Sequence, residues 1–313
     1  MTQYVIRRIL LAIPTLLLML TVIFVLVRLV PGDAAITILG DQASEESLSR
    51  LRAQLGLDQP IHVQYFSFLA QIASGNFGQS LATGRSVLQE VAAVLPYTLE
   101  LTAAALLIGA VIGVPLGTVA ALNRNRWPDY FSRVLSLIGL SFPAFVAGIL
   151  MLLVFAVHLR WFPVIGSSRS GGIAEHLRNL VLPALNLGLI MTAYITRVTR
   201  SSMLGVLNED YIRTARAKGV RPRRLILRHA LRNALIPVVT VVGLYFGTLI
   251  GNSVLTEIVF SRPGLGKLIL GALNARDYTL LQGLMVVFAT FVILVNTITD
   301  IAYGLVDPRV KYS

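Results

Sequence analysis

Eight lysines or arginines fall within the twenty positions from Arg213 to Arg232, inside the stretch EDYIRTARAKGVRPRRLILRHALRNALIP (209–237). Elsewhere charge is scarce: 55% of the 313 residues are apolar and 13% are charged. Guanidinium and ammonium groups at this density bind anions, dock proteins or orient a chain against a membrane; they do not by themselves make or break covalent bonds. The residue types that do such chemistry are thinly spread. The chain has no Cys, which removes disulfides, Cys-ligated zinc or iron–sulfur sites and thiol catalysis. The four histidines, His62, His158, His176 and His229, show no metal-ligand spacing, and no Ser–His–acid set stands out. The nearest approach to a phosphate-binding loop, SRPGLGKL (261–268), lacks the leading Gly and the hydroxyl after the Lys. The expectation is a chain with neither catalytic residues nor a metal site.

The basic island needs a scaffold, and its own residues supply one. Asn208 reads as an N-cap, with Glu209 and Asp210 in the first turn, where acids complement the helix dipole. The helix should run through Tyr211 and Arg213 to Lys218, with Gly219 as the residue just past its end. Pro222 fits the first position of a second helix that continues towards Pro237. The spacing predicts a helix–turn–helix elbow. The small residues Thr214, Ala215 and Ala217 leave a surface that another protein can approach closely. A solvated elbow resting on anionic headgroups fits these residues equally well.

The rest of the chain is built to cross a bilayer. Mean hydropathy is +0.75, and a spanning helix needs about 20 mostly apolar residues. Six stretches qualify: 9–30, 98–122, 134–157, 181–199, 236–258 and 283–305. The first is too long for the apolar core of a cleaved signal (about 7–15 residues), and Pro31-Gly32-Asp33 is no cleavage site, so it is expected to stay as a helix. Arg28 near its outer end is expected to reach for the headgroups. Six crossings put both termini on one side. The segments on that side carry 17 Lys and Arg, the longer opposite segments 9, so that side is the cytoplasm. The net charge of +12 is thus mainly an orientation signal. Nucleic-acid binding drops out, because the basic residues lack interleaved aromatics.

Between the first two spans lies a long outer segment. EESLSRLRAQL (45–55) reads as an amphipathic helix ended by Gly56, IHVQYFSFLAQIA (61–73) as a second helix, and GNFGQS (75–80) as a turn. Gly109, Gly113 and Gly117 recur every fourth residue, as do Gly243, Gly247 and Gly251. Such stripes let two backbones approach within one chain or between subunits. Polar residues at membrane depth are few: Asn186, Asn252, Ser253, Asn296 and Asp300, with Pro143 and Pro183 expected to break helices nearby. A proton-driven carrier usually needs a chain of titratable groups there, so the energy for any transport is expected to come from elsewhere.

Several stretches, in order along nearly the whole chain, resemble one family. They are RRILLAIPTLLLMLTVIFVLVRLVPGD (7–33), LGLDQPIHVQY (55–65), GNFGQS with Asn76 where Asp is usual, SFPAF (141–145), FSRPGLGKL (260–268) and DIAYGLVDPRVKY (300–312). The island itself resembles the cytoplasmic EAA signature of ABC importer membrane subunits. Ala215 and Gly219 occupy its Ala and invariant Gly, and Pro222 follows three further on. Arg213 and Thr214 replace its Glu and Ala, and Arg232 stands where many sugar permeases have Pro. These departures resemble the dipeptide/oligopeptide/nickel branch, and within it the first of the two permeases.

The resemblance implies an all-α polytopic membrane protein with the type I importer fold, six transmembrane helices and both termini in the cytoplasm. Residues 1–93 would hold the first span and the outer segment, 94–305 the five-helix core with its cytoplasmic loop 200–235, and 306–313 a cytoplasmic tail. It implies a prokaryotic inner-membrane permease for di- or oligopeptides, with nickel or another small solute as the variant within the family. Its implied partners are a second homologous permease, two ATP-binding subunits, which would hold the ATP and Mg, and an extracytoplasmic solute-binding protein, all within membrane lipid. This chain would hold no cofactor. Docking would fall on Glu209, Asp210, Tyr211, Arg213, Thr214, Ala215, Ala217, Lys218 and Gly219. Ser141, Phe142, Pro143, Asn186, Asn252, Ser253, Glu257 and Asn296 would be candidates for the path or its gate. A self-powered secondary carrier is the alternative from a different class.

Overall fold

A computed structural model describes residues 2–29, 36, 43–54, 56–164 and 172–306. Helices account for 83% of these residues. In chain order they are α1 (Thr2–Leu29), α2 (Glu45–Gln54), α3 (Ile61–Ala73), α4 (Val87–Leu122), α5 (Trp127–Ser141) and α6 (Ala144–Met151), the last prolonged by a π-helical stretch, Leu152–His158. After them come α7 (Ile173–Leu207), α8 (Asp210–Ala217), α9 (Pro222–Arg224), α10 (Leu231–Val259), α11 (Leu265–Asn274) and α12 (Tyr278–Val306); a second π stretch, Leu225–Ala230, joins α9 to α10. Among the described residues, five helical runs are long and apolar enough to cross a bilayer: Val5–Leu29, Val87–Leu122, Ile173–Leu207, Pro222–Val259 and Tyr278–Ile301. A sixth crossing is available if the broken pair α5 and α6 counts as one.

That pair departs from the expected straight span over 134–157. Its halves meet at an angle of 101°. Phe142 takes an extended conformation (φ −87°, ψ 125°) before Pro143, because the proline ring clashes with a helical residue ahead of it. Pro183 behaves differently from the expectation and breaks nothing. It is buried inside the continuous helix α7, as proline can be where neighbouring helices surround it. The remaining spans extend well past their apolar windows; α7, for instance, runs 35 residues around the expected 181–199.

The chain divides into two compact units. One comprises residues 2–96 and 263–297. In it Leu20, Ile23 and Phe24 of α1 pack with Phe68 of α3 and with Val286 and Ala289 of α12. The outer helices fall where expected. Ser44 Oγ accepts the Ser47 N–H (3.3 Å) at the start of α2. Gly56 (φ +65°) follows its end, where the amides of Gly56 and Leu57 donate to Ala53 and Arg52. Arg28, expected to reach for the headgroups, has partners within the chain. Its Nε and Nη2 donate to Gln64 Oε1 of α3 (3.1 and 3.0 Å), and its guanidinium lies 3.6 Å from the Phe24 ring centroid. Ser80 Oγ donates to Asp277 (2.7 Å), so the turn before α4 is pinned to the start of α12.

The second unit comprises 97–262 and the chain from 298 onward. Its core joins α4, α7 and α10, with glycines of α4 set against α7. A Cβ on Gly109 would lie 2.6 Å from Met191 Cβ, one on Gly113 2.9 Å from Ile195 Cβ, and one on Gly117 2.7 Å from Thr199 Cβ. The first glycine stripe is therefore an intrachain contact, with Met191 and Ile195 fully buried against it. The second stripe serves no single surface: a Cβ on Gly243 would meet Thr299, Gly247 is buried, and Gly251 is exposed with nothing within 4 Å.

Candidate functional site

The basic island folds as an elbow. Glu209, not Asn208, takes the capping position of α8, and it does so without a side-chain hydrogen bond. Asn208 instead ends α7, where its Nδ2 donates back to Leu204 O (3.0 Å). Helical and cap propensities overlap for Asn, and the preceding helix runs to Leu207, eight residues past the end of its apolar window at 199. The far end of α8 follows expectation. Gly219 has φ +75°; its amide donates to Arg216 O (3.0 Å) and that of Val220 to Ala215 O (3.2 Å). These two bonds close the carbonyls that the helix end leaves open, in a geometry that needs a left-handed residue at position 219. Pro222 then occupies the first position of α9.

The elbow is anchored at its inner corner. Ile212 is buried with Met203 of α7, Leu225, Ala230 and Ala234 of the second arm, and Ala121 at the end of α4. Tyr211 Oη accepts a hydrogen bond from Asn233 Nδ2 (2.7 Å), a second tie between the arms. Ala215 is half-buried on the same side, while Glu209, Asp210, Tyr211, Arg213, Thr214, Ala217, Lys218 and Gly219 are exposed. The Arg213–Asp210 ion pair (3.4 Å) joins two such exposed side chains and stabilises little, about 0–1 kcal/mol for a pair of this kind. The elbow thus presents a polar outer surface on a corner fixed by apolar packing.

Beside the elbow is an ion pair that sequence reasoning missed. Arg200 of α7 donates to both oxygens of Asp129 at the start of α5 (2.5 and 2.9 Å), and the Asn125 amide adds a third bond (2.9 Å). A second ionic group involves the opposite end of α7, where His176 lies. Glu100 accepts from Arg262 Nη2 and contacts His176 Nε2, both at 2.5 Å. Arg262 is 5% exposed, and burial lowers the pKa of its guanidinium, against the raising effect of Glu100. The signal available in the sequence was Glu100 itself, a lone acid at the head of an apolar run, which requires a cation.

The path candidates separate into two groups. Phe142 and Asn252 line one cavity of about 220 Å³ together with Thr248 and the tyrosines Tyr194 and Tyr245. Ser141 and Pro143 are exposed beside it at the helix break, and Asn296 is exposed on α12. Tyr194 and Tyr245, which sequence reasoning did not single out, face each other with ring centroids 4.2 Å apart. Asn186, Ser253 and Glu257 lie elsewhere: all three are buried. Glu257 accepts a hydrogen bond from Thr98 Oγ1 (2.6 Å), and Ser253 donates to Ile250 O (2.8 Å). Asn186 is packed near Gly148 and Phe260, and neither side-chain polar atom has a hydrogen-bond partner among the described residues. None of the three lines the cavity, and of them Glu257 ties α10 to α4. Exposed polar groups such as Thr248 and Asn252 at membrane depth are costly against lipid and suit a face turned to another subunit or to water.

No group of three or more His, Cys, Asp or Glu side chains able to hold a metal occurs among the described residues. Five apolar helices long enough to cross a bilayer, six with the broken pair counted as one, together with the basic elbow, fit a multi-pass membrane protein. Residues 1–102 match the N-terminal membrane component of binding-protein-dependent transport systems, and residues 113–312 match the inner membrane component of those systems. The chain belongs to this family, the membrane-spanning components of ABC importers, and is a multi-pass inner-membrane protein. The glutathione transport system permease protein GsiC of Salmonella typhimurium strain LT2 is 42% identical over 312 residues, covering 100% of both chains. GsiC of Escherichia coli strain K12 is 41% identical with the same coverage. Among solved structures, an inward-facing methionine ABC transporter, MetNI, matches with a TM-score of 0.56 and 20% identity over 70% of this chain and 97% of that chain. That likeness concerns the fold alone.

Proposed function

We propose that this permease passes di- or oligopeptides, glutathione-sized molecules included, and that its elbow is where an ATP-binding subunit docks. The observation that carries the docking reading is the elbow's construction. Its outer surface is exposed, while Ile212 and the Tyr211–Asn233 bond fix it to α7 and to the arm leading into α10. A push on α8 is therefore delivered to two membrane helices at once. Peptide cargo is supported by full-length identity of 42% to a permease named for glutathione transport. Nickel or another small solute remains the variant within the family.

In this reading two ATP-binding subunits hold the ATP and Mg, and a second homologous permease completes the path beside Phe142 and Asn252. Closure of the ATP-binding subunits moves the elbow as a lever and opens the path outward, where a solute-binding protein delivers the cargo. The test is uptake of labelled glutathione and of a labelled tripeptide into proteoliposomes containing the complete complex and its binding protein. ATP-dependent uptake of either supports the proposal. Uptake driven by this chain alone, without ATP-binding subunits, would indicate a secondary carrier and overturn it.

A further inference from the structure

The unit of residues 2–96 and 263–297 contains a cavity of about 670 Å³ walled by α1, α2, α3 and the start of α12, within the size range of small-molecule sites, about 300–1,000 Å³. Its lining is unusual in kind. Arg28 and Arg52 contribute two guanidiniums, and Gln64, Gln71, Asn76 and Gln282 contribute carboxamides; no Asp or Glu is among the described lining residues. Arg28 is built into place. Gln64 Nε2 donates to the carbonyls of Gln59 (2.8 Å) and Leu57 (3.3 Å), which aims its oxygen at Arg28. Nε and Nη2 of Arg28 take that oxygen, the Phe24 ring supports the guanidinium from beneath, and the Nη1 amino group takes no part in the Gln64 bond. The floor is closely packed: a Cβ on Gly283 would collide with Phe77 O and with Val87, so glycine lets α12 approach the turn at Phe77.

We propose that this cavity is a binding site for a small ligand that carries a carboxylate and peptide-like amides. A fixed, partly desolvated guanidinium is the preferred partner of a carboxylate. Carboxamides offer a donor and an acceptor each, which is what successive peptide units require. By the charge distribution along the chain the cavity lies on the side from which cargo arrives. The proposal rests on the importer reading only for that last point. It makes the outer segment a waiting position that holds peptide acids near the permease.

The test uses the complete transporter in phosphatidylcholine nanodiscs without binding protein, titrated calorimetrically with N-acetyl-triglycine and with its C-terminal amide. The two probes differ only in the carboxylate. The acid should bind at least about tenfold more tightly, the worth of one charge-assisted bond. Arg28→Gln should bring the ratio to about one. Because Arg28 also ties α1 to α3, Gln71→Glu serves as the second variant: Gln71 is exposed, and an acid there should repel the carboxylate and abolish the ratio without disturbing the fold. Equal binding of both probes to the unaltered protein overturns the proposal, as does a ratio that survives Gln71→Glu. Competition by inorganic phosphate as strong as by N-acetyl-triglycine would mean a plain anion site and also overturns it. ATP hydrolysis stimulated by loaded binding protein, measured on the same preparation, separates the two readings: normal stimulation without carboxylate preference defeats the cavity assignment alone.

Discussion

Asp129 and Arg200, 71 positions apart, form a two-pronged ion pair in which the carboxylate is wholly buried and the guanidinium 21% exposed. The pair holds the start of the broken span to α7, next to the corner of the elbow. Removing one partner leaves the other charge without compensation, which costs about 3–5 kcal/mol. Asp129→Ala is expected to lower the thermal midpoint of the purified protein sharply, while Asp129→Ala with Arg200→Met recovers most of the loss. Equal midpoints for all three proteins would show that the pair contributes nothing.

Gly219 has open space around it, with nothing within 4 Å of a Cβ built there, but its φ is +75°. The cost of a substitution is therefore in the backbone, roughly 1–2 kcal/mol for a β-branched residue. Gly219→Val should leave the spans inserted and reduce ATP hydrolysis stimulated by loaded binding protein. Arg223→Ala, at an exposed basic position beside the turn, should have little effect. Full stimulation in Gly219→Val would remove the coupling role from the elbow.

The two glycine stripes should separate experimentally. Gly113→Leu forces α4 away from Ile195 and Thr192 and should reduce the yield and stability of this chain on its own. A Cβ at Gly251 would have nothing within 4 Å among the described residues, so Gly251→Leu should leave the isolated permease unaffected. If that exposed face of α10 meets the second permease, co-purification of that permease should fall. Unchanged assembly would assign Gly251 to lipid.

Topology can be read directly, since the native chain lacks Cys. Cysteines at the exposed positions Ser47 and Thr214 should differ in reach: an impermeant thiol reagent added to intact cells should label the first and spare the second. Labelling of Thr214→Cys from outside would place the elbow on the wrong side for any ATP-binding partner.

The sequence disclosed what is local and repetitive. Apolar run length located the crossings, and cap and turn chemistry located α2, α3 and the Gly219–Pro222 corner, because each depends on residues within one or two turns. Partnerships across the fold were hidden. Nothing near Asp129 points to Arg200, and nothing near Glu100 points to both His176 and Arg262; such pairs exist only once helices are packed. The candidate path divided for the same reason. Asn186, Ser253 and Glu257 share α7 and α10 with residues that line the cavity, and only the rotation of each helix decides which polar groups turn inward.

The bend at Phe142–Pro143 also decides a question of parity. Each half of the pair holds 15 residues, about 22 Å of helix, against a hydrocarbon core of about 30 Å. If the halves dipped in and returned to the same face, the chain would cross an odd number of times, and everything from Ile173 onward would be inverted. Arg213, Arg216, Arg221, Arg223, Arg224 and Arg228 would then emerge outside, against the rule that short basic loops stay in the cytoplasm. The kinked pair must therefore count as one crossing. A single extended residue before a proline thus lets a shortened, angled segment keep the chain even, and the side on which the elbow lands depends on it.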